Sequence, residues 1–136
     1  MTVRVTGMTF DCADPIGLAT FWGQLFGWNV YTDKDPEVLV APHYPEGDDC
    51  LLFIPVPEGK TAKNRLHLDL SPTDCTRDEQ VAKALELGAT QVLDMRQPDG
   101  TGWVVMQDPE GNEFCIVRSD GERHTPPSRT FRLDLL

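Results

Sequence analysis

Four residues able to donate lone pairs or move protons fall at spacings that could bring them together: His67, Asp69, Glu113 and Cys115. Imidazole, carboxylate and thiol are the donors of transition-metal sites and also the groups of acid–base catalysis. His67 and Asp69 alternate with leucines in Arg65-Leu66-His67-Leu68-Asp69-Leu70, while Glu113 and Cys115 alternate with Phe114 and Ile116. In extended chain each pair therefore projects from one face, and the apolar residues project from the other. Polar groups on an inward face need partners, because burial without them is costly. Three readings meet that need. His67 and Glu113 can pair by a hydrogen bond; His67 and Glu113, joined by Asp69 or Asp49, can offer nitrogen and oxygen ligands to zinc, manganese or iron; or Glu113, its pKa raised in an apolar cup, can take a proton next to a carbonyl while His67 orients or relays it. Cys115 would act as a nucleophile only beside a base, and a buried cysteine in an apolar strand is more often inert packing.

The elements that position these residues repeat about sixty positions apart. Asp14-Pro15 opens an amphipathic stretch that stops at Gly27, and Asp74-Cys75 opens another that stops at Gly88. Tyr44-Pro45-Glu46-Gly47-Asp48-Asp49-Cys50 leads into Leu51-Leu52-Phe53-Ile54, as Asp108-Pro109-Glu110-Gly111-Asn112-Glu113-Phe114 leads into Cys115-Ile116-Val117. A duplicated strand-helix-strands unit accounts for both. The first unit predicts strands over residues 3–11, 28–31, 37–41 and 50–55 around a helix capped by Asp14, with Pro15 in its first turn and Leu18, Phe21, Trp22 and Leu25 on one face. The second predicts strands over residues 65–70, 91–95, 103–107 and 113–117. Its helix has Thr76 and Glu79 at capping-box spacing, Asp74 as a competing cap, and Val81, Ala84 and Leu85 facing the core. Residues 57–64 lack periodicity and read as the linker. Leu66, Leu68, Leu70, Phe114 and Ile116 are expected under helices, which leaves His67, Asp69, Glu113 and Cys115 lining a cleft. Trp103, at a strand start after Thr101-Gly102, could stack on a flat ligand at its rim.

Composition excludes several functions. With 22 Asp and Glu against 12 Lys and Arg, the chain carries a formal charge of −10 and has no basic cluster to track phosphates, so nucleic acid and anionic membrane are excluded as partners. Four scattered cysteines with no Cys-x-x-Cys pair point to a reduced, cytoplasmic protein. At 136 residues the chain suffices for one domain over residues 1–118, with modules at about 3–56 and 65–118, followed by a tail over 119–136. In that tail Phe131-Arg132-Leu133-Asp134-Leu135-Leu136 alternates and is apolar enough to dock on this subunit or its partner.

The order Asp-Pro-helix-Leu-Phe-Gly-Trp, His-Leu-Asp-Leu, Leu-Gly-Ala-Thr and Asp-Pro-Glu-Gly-Asn-Glu-Phe-Cys resembles the glyoxalase/bleomycin-resistance/dioxygenase proteins, the vicinal oxygen chelate (VOC) superfamily. More narrowly, it is similar to the small glyoxalase-like domains common in actinobacteria. The resemblance implies an α+β fold of two tandem βαβββ modules forming a cupped eight-stranded sheet, usually as a homodimer. Metal-dependent members hold a divalent ion with four residues from the first and last strands of each module. Carried over, those positions fall on Gly7, His67, Leu51 and Cys115, and Gly and Leu donate no lone pair. The resemblance thus implies a protein without the usual metal centre that binds a small organic molecule in the cup or at the dimer interface. The candidate ligand-binding residues are His67, Asp69, Trp103, Glu113 and Cys115, and no cofactor is expected. The alternative is a lyase, isomerase or dioxygenase acting on a small oxygenated metabolite through an atypical His67/Glu113 site, holding zinc, manganese, iron or nickel.

Overall fold

The computed structural model describes residues 1–44 and 49–123. Two four-stranded sheets carry one helix each. The first module runs β1 (Met8–Cys12), α1 (Pro15–Phe26), β2 (Asn29–Tyr31), β3 (Val38–Ala41) and β4 (Leu51–Pro55). The second runs β5 (Leu68–Leu70), α2 (Arg77–Leu87), β6 (Thr90–Asp94), β7 (Val104–Gln107) and β8 (Glu113–Ile116), and a single 3-10 turn follows at Asp120–Glu122. Strand orders β1-β4-β3-β2 and β5-β8-β7-β6 are the same plan twice, with the first and last strand of each module parallel.

Both helices begin and end where local chemistry dictates. Asp14 accepts from the Gly17 N–H at the start of α1, Pro15 occupies the first turn, and Gly27 closes the helix at φ 70°. For α2 the competing caps resolve in favour of Thr76, which forms a full capping box with Glu79, and Gly88 stops the helix at φ 117°.

Strand starts depart from expectation. The first strand begins at Met8 instead of residue 3, and the fifth at Leu68 instead of residue 65. Each is an edge strand with one partner, so its extent is limited by that partner: Met8 lies opposite Leu51, the first residue of β4, and Leu68 opposite Phe114, the second residue of β8. Leu66, expected under a helix, is consequently 80% exposed. Leu68 and Leu70 pack against the core and Phe114 and Ile116 are fully buried, as expected, but Leu68 and Phe114 also line the cleft beside β1 and β5, whereas Asp69 and Cys115, expected there, do not.

One apolar core joins the modules. Leu18, Ala19, Phe21 and Trp22 of α1 lie on Val38, Val40, Leu51 and Phe53 of their own sheet, and Val81 and Ala84 of α2 belong to the same cluster as Val104, Met106 and Ile116 of the second sheet. Helix α1 also reaches across: the Trp22 ring meets Phe114 at 5.0 Å and Phe21 meets it at 6.1 Å. Asp108, buried in the turn before β8, accepts from the Trp22 indole N–H at 3.0 Å. Glu110 of the same turn accepts from the backbone N–H groups of Ala13 and Asp14, at 2.7 and 2.9 Å, at the mouth of α1.

Candidate functional site

The outer strands β1 and β5 border a cleft of about 270 Å³. Trp22 and Phe114, both buried, form its inner wall with Phe10 and Leu68; Met8 and Leu66 add exposed apolar surface. Thr9, Asp11, Asn64, His67, Asn112 and Glu113 supply its polar groups. The volume is at the small end for ligand pockets, and an apolar wall with a few convergent polar groups is their common composition.

Glu113 reaches this cleft already committed. One carboxylate oxygen lies 3.1 Å from Lys60 Nζ and the other accepts from the Asn64 backbone N–H at 3.1 Å. Burial raises its pKa, but the Asn64 N–H, its own backbone N–H and the Lys60 ammonium outweigh that, and the net shift is downward. Two of the three sequence readings, a His67–Glu113 hydrogen bond and a Glu113 base of raised pKa, are displaced by the linker residues Lys60 and Asn64. They were missed because a segment without periodicity offers no signal of where its polar groups point.

His67 turns instead toward Asp69 and Cys115. Its Nε2 lies 3.2 Å from Asp69 Oδ1. Asp69 and Cys115 are direct neighbours across the β5–β8 ladder, and one donor atom from each of the three residues falls within 4.8 Å of the others. Cys115 is buried, and its thiol is pushed up to about 11, first by burial and then by the charge and hydrogen bond of Asp69, with Lys63 opposing. His67 and Asp69, expected inside, are open to solvent, their side chains 45% and 62% exposed, because β5 is an edge strand. Trp103 precedes β7 and is 42% exposed, but it does not line the cleft.

The four-ligand divalent centre implied by the resemblance does not fit this chain. Gly7 has no donor, and a Cβ built there would come 2.7 Å from Cys50 Sγ, so a side chain at this position would have to turn that thiol aside. The first-module counterpart of Cys115 needs correction by one position. Cys115 pairs with Asp69 as Leu52 pairs with Thr9, whereas Leu51 lies opposite Met8 and is wholly buried. Leu52 donates no more than Leu51 would.

Comparison with known proteins agrees with this architecture. The model of a family described as a glyoxalase-like domain matches residues 7–117. Among solved structures, a glyoxalase/bleomycin resistance protein/dioxygenase family enzyme from Burkholderia phytofirmans PsJN superposes with a TM-score of 0.64 at 19% identity, covering 84% of this chain and 97% of that one. The fosfomycin resistance protein FosX from Mesorhizobium loti gives 0.66 at 15% identity, covering 88% and 93%. A lactoylglutathione lyase from Agrobacterium tumefaciens gives 0.57 at 17% identity, covering 85% and 93%. At these identities the likeness is one of fold. No curated protein matches the chain.

Proposed function

The chain belongs to the glyoxalase-like domain family, within the glyoxalase/bleomycin resistance/dioxygenase superfamily, and from that premise we propose that it binds a small organic molecule in the cleft between β1 and β5, without the four-ligand metal centre. The observation that carries this reading is the cleft itself, with Phe10, Trp22, Leu68 and Phe114 on one side and Asn64, His67 and Asn112 among its polar groups. Its size suits a molecule of metabolite dimensions with one apolar face and one or two hydrogen-bonding groups. Fold relatives named for fosfomycin resistance and for a lyase of lactoylglutathione support a small oxygenated ligand. The alternative, a lyase, isomerase or dioxygenase working through His67 and Glu113, is weakened because Lys60 and Asn64 hold the Glu113 carboxylate.

The proposed assembly is a homodimer in the cytoplasm. Support for a second copy comes from β6, an edge strand whose five residues are all exposed, with Val92 and Leu93 each more than half accessible. The four cysteines are free thiols, as a reducing compartment would keep them. Among the described residues no helix is long and apolar enough to cross a membrane.

A ligand-observed NMR screen of small oxygenated aromatics and aliphatic acids tests the reading. Hits should shift the Trp22 indole N–H resonance and should be lost in Leu68→Trp, which fills the cleft, but kept in Val92→Ala. Hits that ignore both Trp22 and Leu68→Trp would place binding elsewhere and refute the cleft.

A further inference from the structure

The geometry points to a metal site of a different make from the four-ligand centre: we propose that His67, Asp69 and Cys115 bind one zinc-class divalent ion on the face of the second sheet opposite Leu68, Leu70, Phe114 and Ile116. All three donors come from β5 and β8 or the residue just before β5, so the site is complete within one module and needs nothing from Gly7 or Leu52. Asp69 is its new member, for it lies outside the four positions that the resemblance implies.

Backbone register makes the arrangement dependable. His67 and Asp69 are two residues apart and project from one face, and Asp69 faces Cys115 across a parallel ladder. Zinc ligands at bond lengths of about 2.0–2.3 Å in a tetrahedron lie roughly 3.3–3.8 Å from each other. The His67–Asp69 separation of 3.2 Å and the 4.8 Å limit on the trio are therefore about 1 Å from that geometry, within reach of side-chain rotation. The nearby carboxylate of Glu113 is not a competitor, since Lys60 and Asn64 hold it.

The donor set selects the metal. One thiolate, one imidazole and one carboxylate suit zinc or cobalt far better than magnesium or manganese, which prefer oxygen alone. With His67 and Asp69 exposed, the fourth position opens to solvent, and His67 also borders the β1–β5 cleft. The proposal does not depend on which organic ligand the cleft takes, although the two sites share His67.

Cobalt is the probe that reads the sulfur directly. Full-length protein stripped with chelator and titrated with Co²⁺ should reach one equivalent, with a sulfur-to-cobalt charge-transfer band in the near ultraviolet and intense visible bands of a tetrahedral ion; zinc should displace both and manganese neither. Cys115→Ser should abolish the charge-transfer band, and Asp69→Asn should weaken cobalt binding at least tenfold. Cys12→Ser and Cys75→Ser should leave both unchanged, with circular dichroism verifying each fold. No band at stoichiometric cobalt, a band that survives Cys115→Ser, or affinity indifferent to Asp69→Asn would each overturn the assignment.

Discussion

Two acids of opposite visibility in the sequence are tied into the fold through their carboxylates. Asp108 is buried and accepts from the Trp22 indole, the Asn112 side chain and the Glu110 and Asn112 backbone N–H groups. Charge-assisted bonds of this kind, together with the stranded indole N–H that truncation would leave, predict that Asp108→Ala costs about 2–4 kcal/mol, measurable by urea unfolding. Glu113 acts through pH. Its folded pKa is depressed, so its contribution is full above the unfolded value and is lost as pH falls through the folded one. Glu113→Gln should therefore lower the melting temperature at neutral pH and have progressively less effect as pH falls below the ordinary carboxylate range, narrowing the gap to the parent protein. A constant gap would mean that packing, not charge, is what Glu113 supplies. The sequence made the shared face of Glu113 and Cys115 legible through alternation. It could not show which partners would compete for Glu113, because Lys60 and Asn64 sit in a stretch where nothing fixes direction until the tertiary fold forms. For the same reason His67 was legible as a polar site residue while its turn toward Asp69 was not.

At the level of elements, helices were more legible than strands because their ends are written in single residues. Thr76, Glu79 and Gly88 define α2 without reference to anything distant. Removing the cap by Thr76→Ala should cost about 1 kcal/mol, checked by thermal melting of the variant. Strand starts depend on a partner more than forty residues away, and residues 3–7 and 65–67 look extended in the sequence yet lie ahead of the strands they were expected to open. The turn before β7 was legible in part: Gln97-Pro98-Asp99-Gly100 announces itself, but Gly102 does not. At φ 96° it brings its Cα so near the chain that an added Cβ would meet the Met95 carbonyl oxygen, and Arg77 donates from Nη1 to the carbonyls of Gly100, Thr101 and Gly102. Gly102→Ala should thus destabilise by about 2–3 kcal/mol, from positive-φ strain plus the clash. A cost below half that would show that the turn relaxes freely and that the buried Arg77 guanidinium does not hold it.

On the scale of the whole molecule, a duplicated chain raises the question of whether each copy folds by itself. The repeat was legible from its punctuation, but the ties between copies were not, since they join residues nearly a hundred positions apart. Glu110 of the second module accepts from the Ala13 and Asp14 N–H groups just ahead of α1 in the first, Trp22 of the first donates to Asp108 of the second, and Phe21 and Trp22 pack on Phe114. These contacts lie in the same core that each sheet needs to cover its own face, so neither module can expose the shared surface without losing its apolar cover. Unfolding should therefore be a single cooperative transition. Tryptophan fluorescence draws on Trp22 and Trp28 in the first module and Trp103 in the second, whereas far-ultraviolet circular dichroism reports both modules. The two signals should give coincident urea midpoints in the parent protein. Trp103→Phe should leave the fluorescence midpoint where it was, because the first-module tryptophans then report the same event. Separate midpoints, or a fragment of residues 1–57 with native-like circular dichroism and a sharp melt, would mean that the copies are autonomous and that the cross-module ties contribute orientation without cooperativity.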